Sequence, residues 1–207
     1  MKLYDLKAGT NPRRLRIFLA EKGLSVPTVQ VDMNAGENRQ PAYLALNPLG
    51  TMPALEFPDG TVLTESIAIC RYFETLQPDP PLFGTSAMER AQVEMWNRRL
   101  EIELQIPIQH AFVHLSPFWQ GRRPQVPAYG EVARARALEV MAWLDREIAD
   151  RPYFVGPRYT VADITAQCAL LLGKNTGTAI PAELANLTRW FAEVSALPPM
   201  ARTAPPG

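Results

Sequence analysis

Apolar residues alternate in short runs over the first third of the chain and fall into long helical stripes over the rest. Residues 2–6 read as a strand, with Leu3 and Tyr4 as inward candidates. Asn11-Pro12 predicts a helix start, with Asn as cap and Pro at the first helical position. Leu15, Phe18 and Leu19 share one face of that helix, and Gly23 ends it. Val29, Val31 and Met33 alternate as a second strand. Residues 34–50 read as a loop with one helical turn at 42–45. Two short runs, 54–57 and 61–63, flank Pro58-Asp59-Gly60, a hairpin signal. A helix follows over 66–76.

Gln77, Pro78, Asp79, Pro80 and Pro81 cannot continue a helix. The pattern therefore predicts an α/β domain over 1–76, a linker over 77–85 and an all-α domain over 86–207. One long helix is expected from 86 to 106, stopped by Pro107, with 107–130 irregular and aromatic. A helix over 131–149 turns Leu138, Met141, Leu144 and Ile148 inward. Thr160-Val161-Ala162-Asp163 is a capping box, with Tyr159 and Ile164 able to form a hydrophobic staple across it. The helix it opens, to about residue 172, is apolar nearly all round and should be central. A last helix is read over 184–196, and the tail from 198 to 207 as frayed.

Composition narrows the function. The chain has 207 residues, 47% hydrophobic and 20% charged, enough for a sizeable core. Lys plus Arg and Asp plus Glu are 21 each, so the formal net charge is zero. A nucleic-acid partner engaging the whole chain is disfavoured, because counterion release needs a basic excess. No run approaches the roughly 18 apolar residues of a membrane span, and charges occupy the place of a signal peptide's apolar region. Cys70 and Cys168 lie far apart and form no metal or redox motif. The expectation is a cytoplasmic protein with reduced thiols, without a membrane partner or a metal.

Three motifs now stand in order: Asn47-Pro48-Leu49-Gly50-Thr51-Met52-Pro53-Ala54-Leu55, Leu63-Thr64-Glu65-Ser66-Ile67-Ala68-Ile69, and Thr160 to Asp163. Together they resemble the cytosolic glutathione transferase superfamily over essentially the whole chain, with bacterial theta- and nu-like features. The resemblance implies a thioredoxin-like domain followed by a helical bundle, a homodimer, and glutathione as co-substrate.

The resemblance also gives individual residues a role. An X–Pro bond is cis in only about 5–6% of cases, so Met52-Pro53 alone favours trans; the resemblance makes it the cis proline of the fold. A cis bond there would offer the Met52 main chain to an extended peptide, as a strand would. Thr64, Glu65 and Ser66 all suit an ordinary helix cap. The resemblance turns Glu65 and Ser66 into a clamp for the zwitterionic γ-glutamyl end of glutathione, helped by the helix start.

Thr10-Asn11-Pro12-Arg13 looks similar to the Ser-x-Pro-Cys-Arg stretch of theta- and delta-class transferases, with Thr10 at the serine's place. Thr10 and Asn11 can donate to a thiolate; a hydroxyl is a poor base at neutral pH, so stabilisation is expected, not proton abstraction. The alternative is that either residue only caps the helix. Arg13 stands at the usual cysteine position, which argues against a two-thiol mechanism. Arg13, Arg14 and Arg16 otherwise read as a solvated face. Asn38 and Gln40 match the region that holds the glycine end of glutathione in theta-class proteins, and Thr51 stands where a lysine is frequent. His110, Phe112, His114, Phe118 and Trp119 cluster in sequence as candidates for a small hydrophobic electrophile, or else for core or dimer packing.

The expected function is conjugation of the glutathione thiolate to that electrophile. Nu-class transferases, which rely on Thr and Asn near the first helix, bring a second reading: glutathione-dependent disulfide reductase or peroxidase. A third is a non-catalytic transferase-like binding module.

Overall fold

The computed structural model describes residues 1–203, so positions 204–207 of the expected frayed tail lie outside the described residues. The chain divides into two compact units, Met1–Leu82 and Phe83–Leu197, and the segment from Pro198 onward clusters with the first. The division falls within residues 77–85. Residues 198–203, grouped by sequence pattern with the helical domain, cluster here with the α/β unit.

The first unit runs β1 (Lys2–Asp5), α1 (Thr10–Glu21), β2 (Thr28–Gln30), a 3-10 turn (Glu37–Arg39), α2 (Pro41–Leu46), β3 (Ala54–Glu56), β4 (Val62–Thr64) and α3 (Ser66–Leu76). The strands form one sheet in the order β2-β1-β3-β4. β1 and β2 are parallel, which requires a crossover, and α1 supplies it. The β1–β3 and β3–β4 pairs are antiparallel. Leu3, Ala54 and Leu55 on the two central strands are buried, as are Leu15, Ile17 and Phe18 of α1 and Ile69, Cys70 and Phe73 of α3.

Two local readings change. β2 ends at Gln30, not at Met33. The Asp32 carboxylate accepts the N–H groups of Asn34 and Ala35 at 2.8 and 3.0 Å, and this Asx turn breaks the strand. The stretch read as loop holds the 3-10 turn and α2, with Pro41 in the first turn of α2, where its missing N–H is harmless.

The second unit is helical: α4 (Ala87–Arg99), a π turn (Leu100–Gln105), α5 (Ile106–Leu115), a 3-10 turn (Pro117–Trp119), α6 (Pro127–Glu147), α7 (Val161–Asn175) and α8 (Ala185–Ser195). Pro107 does not stop the chain's helical course. Ahead of it the ladder widens, with the Ile106 N–H reaching the Glu101 carbonyl five residues back. A proline ring clashes with the carbonyl four residues earlier in an α-helix, and the π turn opens that spacing. The segment expected to be irregular is therefore largely α5 and the start of α6.

α7 is central: residues 161–170 are all buried. The capping box is formed, and the Asp163 carboxylate accepts from the N–H groups of Phe154 and Thr160, the Thr160 hydroxyl and the Trp190 indole. Burial pushes its pKa up to about 6 against the pull of those donors. A final helix, α9 (Pro198–Arg202), extends the first unit. No helix among the described residues is long and apolar enough to cross a membrane.

Candidate functional site

Strand register decides which loops meet. Asp5, the last residue of β1, pairs with Gln30, the last of β2. Tyr4 pairs with Ala54, the first residue of β3, and Ala54 pairs with Thr64, the last of β4. The segment leading into α1, the segment after β2, Met52-Pro53 and Glu65-Ser66 thus all emerge at one end of the sheet. Sequence-distant candidates become neighbours through pairing alone.

At the β1–α1 corner, α1 begins at Thr10 with Gly9 as its cap. Asn11 is the second helical residue, not the cap, and Pro12 is the third. Gly9 is required by close approach: a Cβ there would stand 2.8 Å from the Pro12 ring and 3.1 Å from the Leu6 carbonyl. Thr10 and Asn11 are both half-buried. They occupy the positive end of α1, where first-turn N–H groups point outward along the axis. Arg16 fastens this corner, bonding the Asp5 carboxylate at 2.6 Å and the Lys7 carbonyl at 2.7 Å.

Met52-Pro53 is cis, as the resemblance implies. It lies immediately before the β1–β3 ladder. The Met52 side chain packs with Val31 and Tyr43 in a small cluster. The preceding turn is held from behind. Tyr43 donates its hydroxyl to the Thr51 carbonyl at 2.7 Å, and Asn47 Nδ2 donates to the same carbonyl at 2.8 Å and to Thr51 Oγ1 at 3.1 Å. Burial pushes the Tyr43 hydroxyl up to about 12, so it keeps its proton and remains a donor. Asn38 is 6% exposed, and its Nδ2 donates to the Gly50 carbonyl at 2.8 Å. Gly50 has φ +63, and a Cβ there would meet the Asn38 carbonyl at 2.7 Å. Gln40 is exposed as the cap of α2, and Thr51 is exposed.

Glu65 caps α3 with φ 66° and ψ 115°, the single non-glycine residue of positive φ among those described. Such a conformation costs on the order of 1–3 kcal/mol and is held by its surroundings. The Glu65 side chain is exposed. Ser66, the first helical residue, is 4% exposed and accepts a hydrogen bond from Arg14 Nη1 at 3.0 Å.

The arginines therefore do not form a solvated face. Arg13 and Arg14 are buried, and Arg16 is half-buried and ion-paired. Arg13 donates to the carbonyls of Met200 and Thr203 at the end of α9. α1 is covered on more than one side, so Arg13 and Arg14 find acceptors within the fold. Of the residues that support the site, Arg14 reads in the sequence as part of a solvated face, Asn47 only as part of the Asn-Pro motif, and Tyr43 is not singled out.

In the helical unit the five apolar-site candidates separate into two groups. His110 and His114 are one turn apart on α5 and gather around Tyr129 of α6; His110 Nδ1 lies 2.7 Å from the Tyr129 hydroxyl. Phe112 projects from another side of α5, 6.0 Å between ring centres from Phe118 and 5.8 Å from Trp119. Arg122 and Arg123 lie over Phe118 and Trp119. Cys70 and Cys168 are buried. Among the described residues, no group of three or more His, Cys, Asp or Glu is placed to hold a metal ion.

Residues 9–76 match the family model described as "Glutathione S-transferase, N-terminal domain", and residues 110–198 match "Glutathione S-transferase, C-terminal domain". Glutathione S-transferase 2 of Saccharomyces cerevisiae is 36% identical over 96% of this chain and 87% of that protein. Maleylacetoacetate isomerase of Pseudomonas aeruginosa is 32% identical over 100% of this chain and 96% of that protein. Elongation factor 1-gamma 2 of Oryza sativa subsp. japonica is 30% identical over 97% of this chain, which spans 52% of that protein. The crystal structure of Gtt2 from Saccharomyces cerevisiae has a TM-score of 0.93 at 34% identity, covering 99% of this chain and 100% of that one. The thioredoxin-like first domain and helical second domain are those expected. With both halves matching and a relative aligned almost end to end, the chain belongs to the glutathione S-transferase family of enzymes.

Proposed function

We propose that this enzyme holds glutathione as its thiolate and directs the sulfur at an electrophilic carbon of a small hydrophobic molecule. The observation that carries the reading is the register, which gathers Thr10, Asn11, cis Met52-Pro53, Glu65 and Ser66 at one end of the sheet. Each part of the tripeptide then has a counterpart. The cysteinyl main chain pairs with Met52 as an added strand. Exposed Glu65 pairs with the γ-glutamyl ammonium, while Ser66 and the start of α3 receive its carboxylate. Gln40 and Thr51 face the glycine end, and Asn38 shapes that wall through Gly50.

An ordinary thiol has a pKa near 8.5. Thr10, Asn11 and the positive end of α1 favour the thiolate and so lower that value. The proton leaves to solvent; the sulfur lone pair forms the new bond to carbon, and the electrophile's leaving group departs or its double bond takes the electrons. In the helical unit His110, Phe112, His114 and Phe118 serve the electrophile. A homodimer uses the apolar stripe of exposed Met88, Met95, Ile102 and Ile106. The setting is cytoplasmic, where glutathione stays reduced.

A second reading, glutathione-dependent reduction of a disulfide or peroxide, draws support from the same site. With both cysteines buried, such a reaction would run on glutathione sulfur alone. The elongation-factor relative keeps a third reading in view, a binding module without chemistry. Calorimetric titration with glutathione separates these. The proposal expects binding by the wild type and its loss in Glu65→Ala and Ser66→Ala variants that still fold. Absence of wild-type binding, or unchanged binding in both variants, would overturn it. Turnover of a mixed disulfide, but of no carbon electrophile, would move the assignment to the second reading.

A further inference from the structure

We propose that Arg14 is a positioning residue for the γ-glutamyl subsite, holding Ser66 so that the serine hydroxyl hydrogen is turned toward the ligand's carboxylate. The inference rests on the glutathione reading above and names how that subsite is built.

An arginine has donors and no acceptor. At 3.0 Å from Arg14 Nη1, Ser66 Oγ must therefore be the acceptor. One oxygen lone pair is occupied, and the hydroxyl hydrogen is driven away from the guanidinium. An unconstrained serine hydroxyl rotates among partners and can present either a lone pair or a hydrogen. Held by Arg14, it presents a hydrogen, which a carboxylate can accept. The bond is charge-assisted, and both side chains are at least nine-tenths buried, at 2% and 4% exposure, so water competes little for it.

The placement adds a second element. Ser66 is the first residue of α3, immediately after strained Glu65, where outward N–H groups already favour an anion. A buried positive charge behind that helix start strengthens the same field. Arg14 also lies one turn beyond Thr10 on α1. A single rigid helix therefore carries the thiolate-facing residues at its tip and the support of the γ-glutamyl subsite on its flank. The spacing between the two ends of the ligand is built into α1.

A clamp that merely joined α1 to α3 would affect every ligand alike. The test compares glutathione with cysteinylglycine, which lacks the γ-glutamyl residue. Affinities are measured by calorimetry for wild type, Arg14→Met, Ser66→Ala and the double variant, with folding checked by circular dichroism. Arg14→Met is expected to weaken glutathione about tenfold, or about 1.4 kcal/mol, and to change cysteinylglycine less than about twofold. In the Ser66→Ala background, Arg14→Met should add less than about twofold for glutathione. Equal losses for both ligands, or the same factor in both backgrounds, overturn the proposal. If Arg14→Met does not fold, Arg14→Gln keeps an amide donor without the charge. It should lower the preference for glutathione at least about threefold, and an unchanged preference overturns the proposal. A wild type that does not prefer glutathione refutes the underlying reading and Arg14's role with it; a wild-type preference that survives Arg14→Met refutes only the latter.

Discussion

Glu65 should be a residue whose replacement by glycine strengthens the fold and weakens the enzyme. Its φ of 66° and ψ of 115° lie where side-chain-bearing residues are rarely found. Relief of that strain is worth on the order of 1–3 kcal/mol. Glycine also adds freedom to the unfolded chain, which returns about 0.4–1 kcal/mol. The expected result for Glu65→Gly is a net gain of about 1 kcal/mol, seen as a higher urea midpoint at unchanged slope. Glutathione affinity should fall about tenfold, because the carboxylate that pairs with the ammonium is gone. Glu65→Gln separates the two effects. It keeps the strained backbone, so its stability should stay within about 0.5 kcal/mol of wild type, while its affinity falls as in the glycine variant. A less stable Glu65→Gly protein would refute the strain argument. A Glu65→Gln protein binding glutathione as wild type does would refute the assignment of the carboxylate to the ligand.

Further predictions concern the frame around the site. Gly9→Ala forces a Cβ to within 2.8 Å of the Pro12 ring and should cost about 2 kcal/mol in denaturant unfolding. Lys22 is buried, with its ammonium on Glu74 and on the carbonyls of Pro78 and Pro80; Lys22→Met should therefore lower stability by about 3 kcal/mol, and a loss under about 1 would contradict that reading. Asp163 holds its proton more tightly when folded, with a pKa of about 6 against an ordinary 3.8. Its contribution is then most favourable below about pH 4 and declines by about 3 kcal/mol as pH rises through 6. The stability deficit of Asp163→Asn should narrow over that interval in urea titrations, and a deficit that widens would contradict the burial argument.

Features set by a few adjacent residues were legible in the sequence: the Asp59-Gly60 hairpin, the capping box at Thr160 and Asp163, and the turn leading to Met52-Pro53. What escaped depends on the partners that tertiary structure supplies. A run such as Arg13, Arg14 and Arg16 looks solvated until α9, α3 and Asp5 are seen to satisfy it. Pro107 looks like a stop until the π turn ahead of it absorbs the clash. Asn38 resembles a loop polar group, yet its amide is turned inward to Gly50. The separation of His110 and His114 from Phe112 follows from helical spacing alone, once α5 is known to be a helix. The convergence of the candidate site was hidden for a different reason: strand register fixes it, and no local pattern encodes that register.

The measurement closest to the central claim is the thiolate absorption of protein-bound glutathione followed across pH. Bound glutathione should show an apparent thiol pKa well below the ordinary 8.5, with a shift back toward that value in Thr10→Ala or Asn11→Ala. Bound glutathione that titrates like the free thiol, or a protein that binds none, would contradict the claim.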